Sequence, residues 1–171
     1  MPGFILDSLT KHRSVKPGGW VEFQDWDGYA YSEDGSLAGT NLQRYYDEVY
    51  GAFEKAGYET RPGPKLEGWF KDAGFVNIHV RKFQVPYGVW PKDPHFVSSS
   101  SSLLCLRRVT DVFIQKKIGT WMLAAIEAGF EAGALAALTR YKEWMKDEVI
   151  ALASRARADG RKRSVHMIGD L

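Results

Sequence analysis

Apolar positions recur along this chain with two periods, and the changes of period mark out its elements. From Thr40, a candidate N-cap, Leu42, Tyr45, Tyr46, Val49, Phe53 and Ala56 recur at helical spacing, and Gly57 is placed to end the helix. Pro64 opens a second helix whose inner face is Leu66, Trp69, Phe70 and Ala73; Gly74 stops it and Phe75 is positioned to fold back on the last turn. Val76, Ile78 and Val80 alternate with Asn77, His79 and Arg81, the period of a strand, with Pro86 and Gly88 ending it. A helical stripe resumes near Lys117 through Ile118, Trp121, Met122, Ala125, Ile126 and Phe130, and Leu135, Leu138 and Tyr141 extend the same face. Gly129 and Gly133 should loosen it, since a glycine costs about 1 kcal/mol relative to alanine in a helix interior. A last helix is predicted over Lys146 to Arg157, burying Val149, Ile150, Leu152 and Ala153, with Gly160 closing it and Val165, Met167 and Ile168 forming a final strand.

Nearer the start, Lys16-Pro17-Gly18-Gly19 reads as a tight turn, with Pro17 presetting φ and the glycines free to take φ > 0. Trp20, Val21 and Phe23 then predict a buried strand over 20–26. Such a turn before a strand is common by itself. The longer pattern is more specific. Lys-Pro-Gly-Gly-Trp-x-Glu resembles the turn into the fifth strand of class I S-adenosylmethionine-dependent methyltransferases. With Asp25-Trp26-Asp27, Tyr45-Tyr46, Gly63-Pro64, Trp69 through Phe75 and Trp90-Pro91-Lys92-Asp93, the chain is similar to the fungal methyltransferases related to the global regulator of secondary metabolism.

The likeness runs over roughly residues 14–96 and 116–169 and corresponds to the C-terminal half of the family. It implies an α/β chain: a partial Rossmann-like class I methyltransferase fold lacking the N-terminal cofactor-binding half. In the family a Gly-rich turn after the first strand holds the methionine part of the cofactor, and an acidic residue after the second strand holds the ribose. Gly57 to Gly63 follows no hydrophobic strand and opens no helix after one, so no cofactor-binding residue is carried over. The resemblance thus implies S-adenosylmethionine as the family cofactor, with none expected to bind this chain alone.

Two segments interrupt the likeness. Residues 97–115, with their serine run, separate His95 from Lys116 where the family is continuous; their Val-Ser and Gln edges suit splice signals, and they are read as a translated intron. The other reading is a Ser-rich flexible loop with a short amphipathic end. Residues 1–13 are a leader outside the likeness, and residues 14–171 form the C-terminal part of the methyltransferase domain.

Ligands in open α/β sheets bind outside the carboxyl ends of the strands, which puts Gln24, Asp25, Trp26 and Asp27 at the rim of a pocket if 20–26 is such a strand. Asp25 and Gln24 are the catalytic candidates, an acid there orienting or deprotonating the nucleophile that attacks the cofactor's methyl group. Glu22, Trp26, Asp27, Tyr46, Trp90 and Trp121 are the substrate-side candidates. The competing reading makes Asp25 and Asp27 local backbone hydrogen-bonders in an Asx-type turn, and the aromatic residues core. Glu22, inside an apolar strand, must be paired or face a wet cleft. His12, His79, His95 and His166 include no pair with metal-ligand spacing.

Composition narrows the partners. The 171 residues are 44% hydrophobic and 26% charged with net charge +2, which fits one core of ordinary size and argues against a nucleic-acid surface; Arg161-Lys162-Arg163 reads as a solvated helix end. The single Cys105 excludes an internal disulfide. The apolar run Trp121 to Ile126 stops at Glu127, so no membrane span is expected, and Met1 to Leu9 lacks the pattern of a signal peptide. The expected location is the cytoplasm, with the nucleus open. The resemblance implies a truncated, inactive methyltransferase fragment, with a small-molecule acceptor or a full-length methyltransferase as expected partner. The alternative is a non-catalytic protein that binds a full-length methyltransferase or a hydrophobic metabolite. A central strand without its neighbours would also favour oligomers or aggregation through an exposed sheet edge.

Overall fold

The computed structural model describes residue 16, residues 18–90 and residues 105–171, with side chains from residue 113 onward in the last stretch. The elements run β1 (Asp27–Tyr31), α1 (Asn41–Lys55), α2 (Gly63–Asp72), β2 (Gln84–Tyr87), α3 (Cys105–Tyr141), α4 (Lys146–Gly160) and β3 (Met167–Asp170). The sheet has the order β1-β3-β2, and its central strand is antiparallel to both neighbours.

The helices begin where local chemistry places them. Thr40 takes an extended conformation (ψ 155°) and its Oγ1 accepts the Gln43 N–H at 3.1 Å, capping α1. At the other end Ala56 donates to the Ala52 carbonyl at 3.1 Å, and Gly57 turns the chain at φ 81°. In α2 the Phe75 N–H donates to the Phe70 carbonyl at 3.0 Å, and the two rings meet edge to face with centroids 5.2 Å apart. That is the fold-back the sequence predicted. α4 extends to Gly160, three residues beyond the Arg157 expected.

Two predicted strands are displaced. Residues 20–26 form no strand, and Trp20 is 83% exposed. The physical reason is the partner: β3 offers only four residues, and their register meets Asp27 and Tyr31, not Trp20 to Phe23. Residues 76–80 are likewise not a strand, because Asn77 sits at φ 55°, and Val76 and Val80 are 80% and 63% exposed. Pairing with the end of the chain starts at Phe83, which exchanges two backbone hydrogen bonds with Leu171 at 2.8 and 2.9 Å. Pro86 therefore lies within β2, paired with Ile168, instead of ending a strand. The final strand pairs antiparallel with this region.

The core lies where α1, α3 and α4 meet. Leu42, Val49 and Ala52 of α1 pack with Phe130, Ala134, Ala137 and Leu138 of α3 and with Val149, Leu152, Ala153 and Ala156 of α4. α3 reaches Cys105, well before Lys117, and passes through Gly119, Gly129 and Gly133 without ending. Gly119 has a steric reason: a Cβ there would lie 2.0 Å from the Gly88 carbonyl oxygen, and the Gly88 N–H donates to the Gly119 carbonyl at 2.9 Å. This backbone contact locks α3 across the end of β2.

Residues 105–115 of the Ser-rich segment belong to α3, and residues 97–104 lie outside the described residues. The leader 1–13, His12 and His95 lie outside them too. By length and composition Phe113–Tyr141 is long and apolar enough to cross a membrane, a longer stretch than Trp121 to Ile126. Glu127 interrupts the apolar run, but the residues on either side of it are rich in Ala, Leu and Ile. Length and composition do not separate a span from a core helix, and one face of this helix is buried in the core.

Candidate functional site

The residues singled out from sequence gather only in part. Gln24 and Asp25 lead into β1, so they stand at the start of a strand and not at its carboxyl end. Asp25 Oδ1 accepts the Trp26 N–H at 2.8 Å, the local backbone bond that a turn aspartate makes. Its other oxygen has no hydrogen bond to a described residue. Glu22 is exposed, and its Oε1 accepts from Gln24 Nε2 at 2.8 Å. Glu22 is thus solvated, which removes the burial cost that an acid within a strand would carry.

Asp27 is the anchored member of the group. The Arg61 guanidinium meets it with Nε 2.8 Å from Oδ1 and Nη2 3.0 Å from Oδ2, a two-bonded fork. The Arg61 hydrogen bond holds the Asp27 carboxyl below its ordinary range, against a smaller opposing push from burial. An acid so held is a poor proton acceptor near neutral pH. Gly28 follows with no side chain, as the backbone requires: a Cβ there would be 2.0 Å from the Thr60 carbonyl oxygen. The 58–63 loop is thereby pressed against the outer edge of β1.

Arg61 also lies 5.1 Å over the Tyr29 ring, and from Tyr29 an aromatic ladder runs inward. Tyr29 stacks on Tyr50 and Tyr50 on Tyr46, each with centroids 5.7 Å apart. Tyr46 meets Tyr45 edge-on at 5.5 Å, and Tyr45 meets Phe130 at 4.6 Å. The Tyr45 hydroxyl donates to the Phe130 carbonyl at 2.8 Å. Burial raises the pKa values of Tyr29, Tyr45, Tyr46, Tyr50 and Tyr87, so these hydroxyls stay protonated and none is a base at neutral pH. Trp26 packs against Tyr87, with ring centroids 6.4 Å apart, and Tyr87 is near enough to Tyr46 and Tyr50 to interact with them electrostatically.

Trp90 and Trp121 stand apart from this group. Trp90 is buried, donates from Nε1 to the Tyr87 carbonyl at 3.1 Å and stacks on His166 at 4.8 Å. Trp121 is 76% exposed on the outer face of α3, so it does not line a pocket with Tyr46. At the far end of β1, Tyr31 donates to Asp170 Oδ1 at 3.1 Å and Gln84 Nε2 to the Tyr31 hydroxyl at 2.9 Å, while Lys82 pairs with Asp170 at 2.7 Å.

Beside the Asp27–Arg61 fork, an open cleft of about 530 Å³ is lined by Glu54, Tyr58, Glu59, Thr60, Arg61, Pro64 and Lys65. Its charges are engaged: Glu54 accepts from Tyr29 and Thr60 at 3.1 and 2.7 Å, Lys65 pairs with Glu59, and Arg61 holds Asp27. Sequence reasoning missed Arg61, Glu54, Tyr29 and Tyr50. Tyr50 follows Tyr46 by four residues on one helix face, a signal that was there to read. Arg61 is joined to Asp27 across 34 residues and left no local signal.

The cofactor implied by the resemblance would need a strand, a turn and a free helix N-terminus. Among the described residues β1, the 32–40 turn and α1 make such a unit, with Gly35 and Gly39 at φ 73° and 72°. Its N-terminus is already filled. Asp159 Oδ2 accepts from the Asn41 backbone N–H at 2.7 Å and from Asn41 Nδ2 at 3.0 Å. Gly39 donates to Gln43, Ser36 to Asp34 and Leu37 to Ser32. With those N–H groups bonded and a carboxylate in place, the unit does not fit the cofactor. No group of three or more His, Cys, Asp or Glu among the described residues could hold a metal ion.

The chain matches no known family model and no solved structure. It is 31% identical over 157 residues to methyltransferase pytC of Aspergillus terreus, covering 91% of this chain and 43% of that protein. It is 26% identical over 154 residues to probable methyltransferase tdiE of Emericella nidulans, covering 90% of this chain and 43% of the relative. To secondary metabolism regulator LAE1 of Cochliobolus heterostrophus it is 28% identical over 164 residues, covering 92% and 46%. The chain spans under half the length of these relatives. It belongs by sequence to this fungal methyltransferase family.

Proposed function

We propose that this chain is the acceptor-side, C-terminal portion of a class I S-adenosylmethionine-dependent methyltransferase. The observation that carries the reading is the likeness to proteins named as methyltransferases over about nine-tenths of the chain. Its partial Rossmann-like character is supported by an antiparallel final strand placed between β1 and β2. The cofactor is held by residues outside this chain, because the α1 N-terminus is closed by Asp159. Alone, the chain is inactive.

In the complete unit the segment Glu22 to Asp27 faces the methyl acceptor. Asp25 is the proton acceptor there, using the carboxylate oxygen not engaged by Trp26, and Gln24 and Glu22 orient the nucleophile. Asp27 stays ionised in its fork and fixes the start of β1. Residues 97–115 are a translated intron, and residues 1–13 lie outside the methyltransferase domain.

Sequencing the expressed transcript across codons 1–15 and 97–115 tests this. The expected transcript joins codon 96 to codon 116 and continues upstream of codon 14 into a Gly-rich strand-turn-helix. A transcript matching the chain as written would remove the methyl-transfer reading. In the spliced protein, Asp25→Asn is expected to lower turnover about 100-fold with little change in cofactor binding.

A further inference from the structure

The outer face of α3 is apolar over six turns. Ile114, Ile118 and Trp121 are 50%, 37% and 76% exposed, and Ala125, Ala128 and Ala132 continue the same stripe in the open. Leu135, half-buried, ends it. Steps of four and three residues alternate along these seven positions, which is the a/d spacing of a helix seam. Ile118, Ala125 and Ala132 take the a positions, and Ile114, Trp121, Ala128 and Leu135 take the d positions.

The stripe is self-complementary when reversed. Turned about an axis at the level of Ala124 and Ala125, it sets Ile114 against Leu135, Ile118 against Ala132 and Trp121 against Ala128, each within about one residue's rise, large against small at the two inner layers. Gly129 beside Ala128 has open space where a Cβ would go, leaving room for the indole of a facing Trp121. The charges obey the same reversal. Lys117 and Glu131 both precede an a position and both are exposed, and antiparallel pairing brings Lys117 of one chain to Glu131 of the other, twice. Neither makes an ion pair with a described residue; the Lys117 ammonium rests 4.6 Å over the Phe113 ring on the same flank.

From this symmetry of size and charge, we infer that the outer face of α3 binds a second copy of this chain as an antiparallel helix pair centred on Ala125. The interface is isologous, with the same patch on both protomers, and it closes as a dimer. It is separate from the sheet edge and does not rest on the methyltransferase reading; Ile114 alone of the seven positions falls within residues 97–115, and the layers from Ile118 to Ala132 carry the seam without it.

Sedimentation equilibrium of the full chain is the test. A monomer–dimer equilibrium is expected. Ala125→Glu, which sets two carboxylates against each other on the axis, should weaken it by more than about tenfold. Lys117→Glu should weaken it as well, and adding Glu131→Lys to that variant should restore it. All these positions are exposed, and an unchanged circular dichroism spectrum confirms that each variant is folded. A monomer at every attainable concentration overturns the inference. So does a dimer indifferent to Ala125→Glu, or a monomer that floats with phosphatidylcholine vesicles, which would assign the face to a lipid surface.

Discussion

Asp159, near the end of α4, caps α1 from across the chain: its Oδ2 accepts both the backbone and the side-chain N–H groups of Asn41, 118 residues away. Burial pushes the Asp159 pKa up, but hydrogen bonds from Lys162 and Asn41 outweigh it, and the carboxyl is held below its ordinary range. The residue is buried, so removing the acceptor leaves an unsatisfied N–H at the helix start. Asp159→Ala is expected to cost about 1–3 kcal/mol in urea unfolding, and Asp159→Asn less, because an amide oxygen still accepts.

The Asp27–Arg61 fork gives a pH dependence with a definite sign. The Asp27 pKa is lowered in the folded chain, so its contribution is fully present above the ordinary value of 3.8 and is lost as pH falls through the lower folded value. Arg61 is half-exposed, so solvent screening limits the pair to roughly 0.5–1 kcal/mol. Arg61→Ala should therefore lower the unfolding midpoint slightly at pH 7 and by less at pH 3, below the ordinary carboxyl value. A double-mutant cycle with Asp27→Asn at both pH values checks it.

Gly119→Ala puts a methyl 2.0 Å from the Gly88 carbonyl oxygen, a backbone atom that has no rotamer to change. The expected loss is about 2 kcal/mol or more, through overpacking and strain on the Gly88 to Gly119 hydrogen bond. Gly129→Ala, on the same helix with open space around it, should instead be neutral or stabilising by up to about 1 kcal/mol. Thermal unfolding of the two variants side by side separates a steric role from helix propensity.

The helices were legible because their signals are local. Thr40, Gly57, Pro64, Gly74 and Phe75 each act within a turn or two, and the structure uses each as the sequence suggested. The strands were less so, because a strand is fixed by its partner. Trp20 to Phe23 and Val76 to Val80 carry the right alternation but find no β3 residue in register, whereas Asp27, a charged residue, opens β1 because Asp170 lies opposite. Within the candidate site, Trp26 and Asp27 came together with Tyr46 through Tyr87, Tyr29 and Tyr50. Trp121 did not, since helical spacing gives a face but not which neighbour covers it. Arg61, Glu54 and Asp159 were invisible for the same reason as the strands: their partners are distant in sequence.

Titration of the folded full chain with S-adenosylmethionine, read by thermal shift, tests the central claim most directly. With the α1 N-terminus closed by Asp159 and the cofactor held elsewhere in the family unit, no ligand-dependent shift is expected. Stabilisation that rises with the logarithm of ligand concentration, reaching about 2.7 kcal/mol at a hundredfold excess over Kd, would show an intact cofactor site in this chain and contradict the account.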